Sequence, residues 1–146
     1  MAGKPLSPTE LRIWQAFVYM GEDVLERVGR DIAQATGLSG PEFGVLSRLA
    51  AFGKGEMRQQ ELATVMGWEK SRLSHQLSRM QNRKLIERRA GDGRATIVAI
   101  TRTGREKLAS ALPVRAESVR RNLLSRLSAQ QIETILRVSN LLSDEE

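Results

Sequence analysis

After Leu85 the hydrophobic period of this chain changes, and the change follows directly on two helical patterns. Upstream, Leu62, Ala63, Val65 and Met66 mark a short helix stopped at Gly67. Leu73, Leu77 and Met80 then recur at helical spacing on one face of a longer helix. Beyond Leu85, residues 86–90 and 95–100 read as two short strands, the second rich in β-branched residues (Thr96, Ile97, Val98, Ile100). Gly91-Asp92-Gly93-Arg94 supplies the turn between them. Short helix, turn, longer helix and hairpin in this order make a winged helix-turn-helix. The expected fold class is therefore mainly α with a small β-hairpin wing, the winged module being set in a helical frame.

The frame is punctuated by capping signals. Ser7-Pro8-Thr9-Glu10 places a cap, a proline at the first helical position and a glutamate at the third. Leu11, Trp14, Val18, Leu25, Val28, Ile32 and Ala35 then follow near helical spacing. Ser39-Gly40-Pro41-Glu42 starts a second helix that carries Phe43, Leu46, Leu49 and Ala50 as far as Gly53-Lys54-Gly55. After the hairpin either Thr101 or Thr103 can cap the next helix, and Pro113 is expected to kink or break it. Ser128-Ala129-Gln130-Gln131 opens the last helix. Three segments follow: 1–55, N-terminal helices for dimerisation and support; 56–107, the winged DNA-binding module; 108–146, C-terminal dimerisation helices. Leu123, Leu124, Leu127, Ile132, Ile135 and Leu136 crowd a short stretch beyond the module. The two flanks hold more apolar side chains than a monomer of this shape buries, which predicts a homodimer.

Charge singles out the same centre. Residues 56–107 hold 12 Lys/Arg against 6 Asp/Glu, whereas 1–55 hold 6 of each sign and 108–146 hold 5 of each, so the whole excess of +6 lies in the module. A basic centre between neutral flanks favours an acidic partner. A membrane surface would require a basic helix with a bulky apolar face free to insert, and here part of the charge lies in a turn. Double-stranded DNA is the expected partner.

Other classes lack support. With no Cys, disulfides, thiol redox sensing and Cys-ligated metals are excluded. The one His, the lack of a phosphate-cradling glycine loop and the lack of a nucleophile beside a base argue against an enzyme, a metal site or a cofactor. No apolar run approaches the ~20 residues that span a bilayer, and the first residues have no signal-peptide core. The cytoplasm is the expected compartment.

With Leu73, Leu77 and Met80 as the buried stripe of the second helix, Ser71, Arg72, His75 and Arg79 project from the opposite side near its start, with Lys70, Ser74 and Gln76 at the edges. Such side chains bond to base edges in the major groove or to phosphates. Arg94 at the hairpin tip is placed to enter the narrow minor groove. Asp92 can orient it through an ion pair. Arg88 and Arg89 at the wing base are expected on phosphates.

Glu61-Leu62-Ala63, Ser71-Arg72-Leu73-Ser74, Leu85-Ile86-Glu87-Arg88, the wing Asp92-Gly93-Arg94, and Ile100-Thr101-Arg102-Thr103-Gly104-Arg105 follow one another along the chain. These segments resemble the multiple-antibiotic-resistance regulator (MarR) family of bacterial transcription factors. Their order and spacing, rather than any one of them, carry the resemblance, and it extends to the remaining helices. It implies a homodimeric sequence-specific regulator, most often a repressor, whose end helices form the dimer interface and whose winged modules read a palindrome. It also implies a small aromatic or anionic effector in a crevice, for which Trp14, Phe17, Met20, Phe43 and Leu46 are the residues on offer. The chain departs from the family pattern in four places. Lys84 stands for the usual glycine, Glu69 for a serine cap and Trp68 for a leucine that packs on the module's core, and the wing is about two residues short. The competing reading is an architectural or protein-interaction module that uses the same fold without regulating transcription.

Overall fold

The computed structural model describes residues 3–143. The elements are α1 (Pro8–Thr36), α2 (Gly40–Phe52), β1 (Glu56–Arg58), α3 (Gln59–Met66), α4 (Lys70–Asn82), β2 (Ile86–Ala90), β3 (Thr96–Ile100), α5 (Arg102–Asn122), a 3-10 turn (Leu124–Arg126) and α6 (Ala129–Leu142). They divide into two compact units, one of residues 30–115 and one of 3–29 with 116–143. Among the described residues, no helix is long and apolar enough to cross a membrane.

Three helices begin with the expected reciprocal caps. The Ser7 amide donates to Glu10 Oε2 at 2.7 Å and the Glu10 amide to Ser7 Oγ at 3.2 Å. Hydrogen bonding from Ser7, first from its backbone amide and then from its side chain, holds the Glu10 carboxyl below its usual range. Ser39 with Glu42 and Ser128 with Gln131 repeat the box at α2 and α6. Thr101 is the cap of α5: its hydroxyl accepts from the Gly104 amide at 3.0 Å and donates to the Lys84 carbonyl at 2.6 Å.

The larger unit owns a core. Val45, Leu46 and Leu49 of α2, Leu62 of α3, Leu73, Leu77 and Met80 of α4, and Val98 of β3 are fully buried. The three strands are antiparallel in the order β1-β3-β2, with Met57 opposite Val98 and Arg88 opposite Val98 from the other side. The hairpin is thus paired on both edges of β3. Strand β1 lies outside the sequence expectation, because three residues with one apolar side chain give no readable alternation.

Two junctions fix the wing to the helices. Lys84 has φ +62, a left-handed conformation that costs a non-glycine residue about 1–2 kcal/mol. The chain accepts it where a glycine would be unstrained, and the Leu85 amide then closes on the Met80 carbonyl at 3.0 Å. Gly104 packs against the same turn so closely that a Cβ there would sit 2.2 Å from the Leu85 carbonyl oxygen. Glu42, buried at the start of α2, pairs with Arg83 after α4, and Arg83 also donates to the Gly37 carbonyl at 3.2 Å.

Pro113 neither breaks nor ends α5, which runs through it as one helix. Pro113 and Ala109, whose carbonyl loses its partner, are both exposed, so water can satisfy the freed group.

The smaller unit differs in kind. Among its described residues Ser118 alone is buried. Trp14, Phe17, Met20 and Leu25 of α1 and Ile135, Leu136, Leu141 and Leu142 of α6 are all exposed, Leu141 to 82%.

Candidate nucleic-acid interface

The site is built on a turn that leaves the backbone little freedom. Helix α3 ends with Gly67 at φ +65, whose amide donates to the Thr64 carbonyl at 3.1 Å, while the Trp68 amide donates to the Ala63 carbonyl at 3.0 Å. This paired closure requires a left-handed residue, which glycine supplies without strain. It sets Trp68 and Glu69 immediately before α4. Glu69 occupies the cap position with no side-chain bond, so the first amides of α4 have no side-chain acceptor there. Those amides and the helix dipole favour an anion, and the uncapped Glu69 carboxylate opposes one.

Along α4 the buried stripe is Leu73, Gln76, Leu77 and Met80. Ser71, Arg72, His75 and Arg79 project away from it: Ser71 and Arg72 are exposed beside exposed Lys70, while Ser74 is half-buried. Gln76 departs from expectation. Three residues after Leu73 and four before Met80, it falls inside the stripe, is buried, and accepts from Arg79 Nη2 at 2.6 Å through Oε1. Its amide positions Arg79 instead of facing a duplex.

The arginines of the module fall into three groups. The first is engaged by neighbours. Arg88 donates from Nε to Gln81 Oε1 at 3.0 Å and from Nη2 to Ser78 Oγ at 2.9 Å, lashing β2 to α4. Arg89 pairs with Glu56 of β1 at 2.7 Å, both side chains being half exposed. Such a pair is worth at most about 1 kcal/mol, so a phosphate can compete for Arg89 more readily than for Arg88.

The second group consists of cations at the wing that have no ion pair among the described residues. Arg58, Lys70 and Arg94 line a cleft of about 450 Å³ with Asp92, Gln59, Gln60 and Thr96. Arg58, Gln59 and Gln60 escape a reading of the sequence, because β1 hides the turn that carries them to the wing. The hairpin closes with the Gly91 amide on the Ala95 carbonyl at 2.9 Å and the Ala95 amide on the Asp92 carbonyl at 3.2 Å. Among the described residues Asp92 forms no ion pair with Arg94, contrary to expectation. Asp92 acts through its main chain, and both side chains are exposed at the tip.

Arg72 stands alone in the third group. Its guanidinium carbon lies 4.1 Å from the centroid of the Trp68 ring. Trp68 therefore carries a cation as well as packing at the turn.

The residues named for an effector crevice fall in both units. Trp14, Phe17 and Met20 are exposed on α1, with Trp14 and Phe17 stacked at 6.3 Å between centroids. Phe43 is half-buried, with the Arg115 guanidinium 5.2 Å from its ring centroid. Leu46 has no accessible surface and belongs to the core of the larger unit, so it cannot line a crevice.

Residues 36–95 match the model of the MarR family. The winged module is similar to that of the MarR family. The MarR fold extends over nearly the whole chain. AbsC, a MarR family transcriptional regulator from Streptomyces coelicolor, is 27% identical, with 93% of each chain covered and a TM-score of 0.83. Sco3205 of the same organism, a MarR family regulator solved in complex with DNA, is 23% identical over 94% of this chain and 91% of its own, with a TM-score of 0.85. MepR of Staphylococcus aureus, also solved with DNA, shares 18% identity over 97% of this chain and 100% of its own, at a TM-score of 0.77. No curated protein sequence matches the chain significantly.

Proposed function

We propose that this protein is a MarR-type transcriptional regulator, a homodimer that binds a palindromic duplex through one winged module per subunit and acts as a repressor in the cytoplasm. The observation that carries the reading is the front of α4. There Ser71 and Arg72 stand exposed on a helix held by a fully buried stripe, with His75 one turn on and three cations of the wing cleft beside them. On this reading Arg72 and His75 meet base edges, Lys70, Ser74 and Arg79 meet phosphates, and Arg94 enters the minor groove. AbsC is described as a transcriptional regulator, and Sco3205 and MepR are solved on DNA, which supports a DNA partner for this chain.

Dimerisation is supported by the smaller unit, whose apolar side chains have no core of their own. Exposed apolar surface of this extent marks an interface. The exposed Trp14 and Phe17 rings supply the chemistry for a small aromatic or anionic effector that releases the protein from DNA.

Selection from a random duplex library tests the function. The expected product is a palindrome with half-sites about one helical turn apart, roughly 34–36 Å. Recovery of no motif, with binding that depends on salt alone, would instead assign the chain to the architectural class.

A further inference from the structure

Of the module's arginines, Arg72 alone among the described residues rests on a ring face with its donors available. Arg83, Arg88, Arg89 and Arg102 direct guanidinium N–H groups at carboxylates, an amide, a hydroxyl or a carbonyl, and Arg79 directs one at Gln76. Arg58, Arg94 and Arg105 have neither a side-chain hydrogen bond nor a ring contact among the described residues, Arg105 lying against Gly55. Arg72 makes no hydrogen bond or ion pair among the described residues, yet its guanidinium rests on the Trp68 ring.

This combination has a physical consequence. An arginine carries rotamer entropy that a base contact must overcome. A ring face beneath the guanidinium restrains the side chain before the duplex arrives and takes none of its N–H donors. The backbone that carries the ring is itself restrained, since Trp68 follows the doubly hydrogen-bonded stop of α3 and its own amide is one of the two donors. Arg72 is the third residue of α4, within the segment that faces base edges in this motif. Its free donors match the O6 and N7 acceptors of guanine, the usual target of a bidentate arginine.

We propose that Trp68 is a positioning residue for sequence reading: it presents Arg72 to one guanine in each half-site. The proposal rests on the DNA-reading function above and adds to it the base that is read and the residue that sharpens the choice. Trp68 itself touches no base in this scheme. Its contribution is to discrimination at one position, with general affinity left to the phosphate contacts.

The test uses the full-length protein and the duplex recovered by library selection, together with variants of that duplex changed at single positions. Three proteins are compared with the parent: Arg72→Ala, Trp68→Leu, which keeps apolar volume, and Trp68→Phe, which keeps a ring face. Arg72→Ala is expected to erase the preference for guanine at one position per half-site. Trp68→Leu is expected to weaken that same preference roughly three- to tenfold and leave random duplex binding unchanged, and Trp68→Phe to restore most of it. In the free proteins, the Arg72 Cδ protons should show an upfield ring-current shift in the NMR spectrum that Trp68→Leu abolishes and Trp68→Phe keeps.

Equal loss by Trp68→Leu on every duplex, or no loss at all, would overturn the proposal, as would a lost preference at a position other than that of Arg72. Absence of the ring-current shift would overturn the stacked geometry whatever the DNA result. A parent protein with no sequence preference overturns the regulator reading and this proposal together. A parent that selects a palindrome lacking the Arg72-dependent guanine overturns this proposal alone.

Discussion

Residues 30–115 and the pair of segments 3–29 and 116–143 use similar apolar residues to opposite effect. In the first, leucines of α2, α3 and α4 vanish into one core closed by β3. In the second, α1 as far as residue 29 and α6 are amphipathic with no core beneath them, and Ser118 is the one buried residue among those described there. Helix periodicity alone does not distinguish the two cases, because an interface helix and a core helix carry the same stripe. What separates them is whether the chain itself supplies the opposing surface. The winged module has that surface in its sheet and neighbouring helices. The end segments leave their apolar side chains exposed, and the proposed dimer supplies the opposing surface as a second copy of the chain.

Substitution should expose this difference, the largest effect coming where the partner is needed. Leu136→Asp places a charge on the exposed face of α6, a change that a monomeric surface would tolerate within about 0.5 kcal/mol. In a dimer interface it should cost at least about 3 kcal/mol and convert the protein to monomer in sedimentation at micromolar concentration. Phe52→Asp, equally exposed at the end of α2, should leave the sedimentation profile unaltered. Equal tolerance at both sites would break the comparison.

Inside the module the expected cost follows cavity physics. Leu77→Ala removes a fully buried side chain and should lower unfolding stability by about 2–5 kcal/mol in urea titration. Leu141→Ala, on a residue 82% exposed, should cost far less in a monomer and more in a dimer, so its dependence on protein concentration is the informative quantity. Gly104→Ala should cost about 1–3 kcal/mol, because its Cβ meets main-chain oxygen that cannot swing aside.

The smallest effect expected is a gain. Glu69→Ser supplies the missing cap of α4 and removes an anion from the side proposed to meet DNA. It should stabilise the fold by about 1 kcal/mol in thermal unfolding and tighten binding to all duplexes alike. A loss of stability would mean that Glu69 has a partner role beyond its backbone.

The module is legible in the sequence because its signals are local and repeated. Leu73, Leu77 and Met80 set the α4 face, the β-branched run sets β3, and three Ser-x-x-Glu/Gln boxes set helix starts. The misreadings share another cause. Gln76 is an edge residue by chemistry, but its angle on the helix is a core angle, and an amide is tolerated there because Arg79 satisfies it. Arg58 comes to the wing only through a three-residue strand too short to announce itself. The lashing of Arg88 to Ser78 and Gln81, and the seat of Arg72 on Trp68, depend on rotamers that spacing does not encode. Pro113 has the chemistry of a helix breaker at an exposed position that allows the helix to continue.

The proposed function has two parts, DNA reading by the module and dimerisation, and half-site spacing tests both at once. Duplexes carrying the selected half-sites are compared at the recovered separation and with about five base pairs inserted, half a helical turn. Two modules held by one dimer frame should bind the first duplex as two chains per DNA and lose roughly a hundredfold or more in affinity on the second, where one half-site faces away. Equal affinity for both duplexes, with chains loading one at a time, would contradict a dimeric reader.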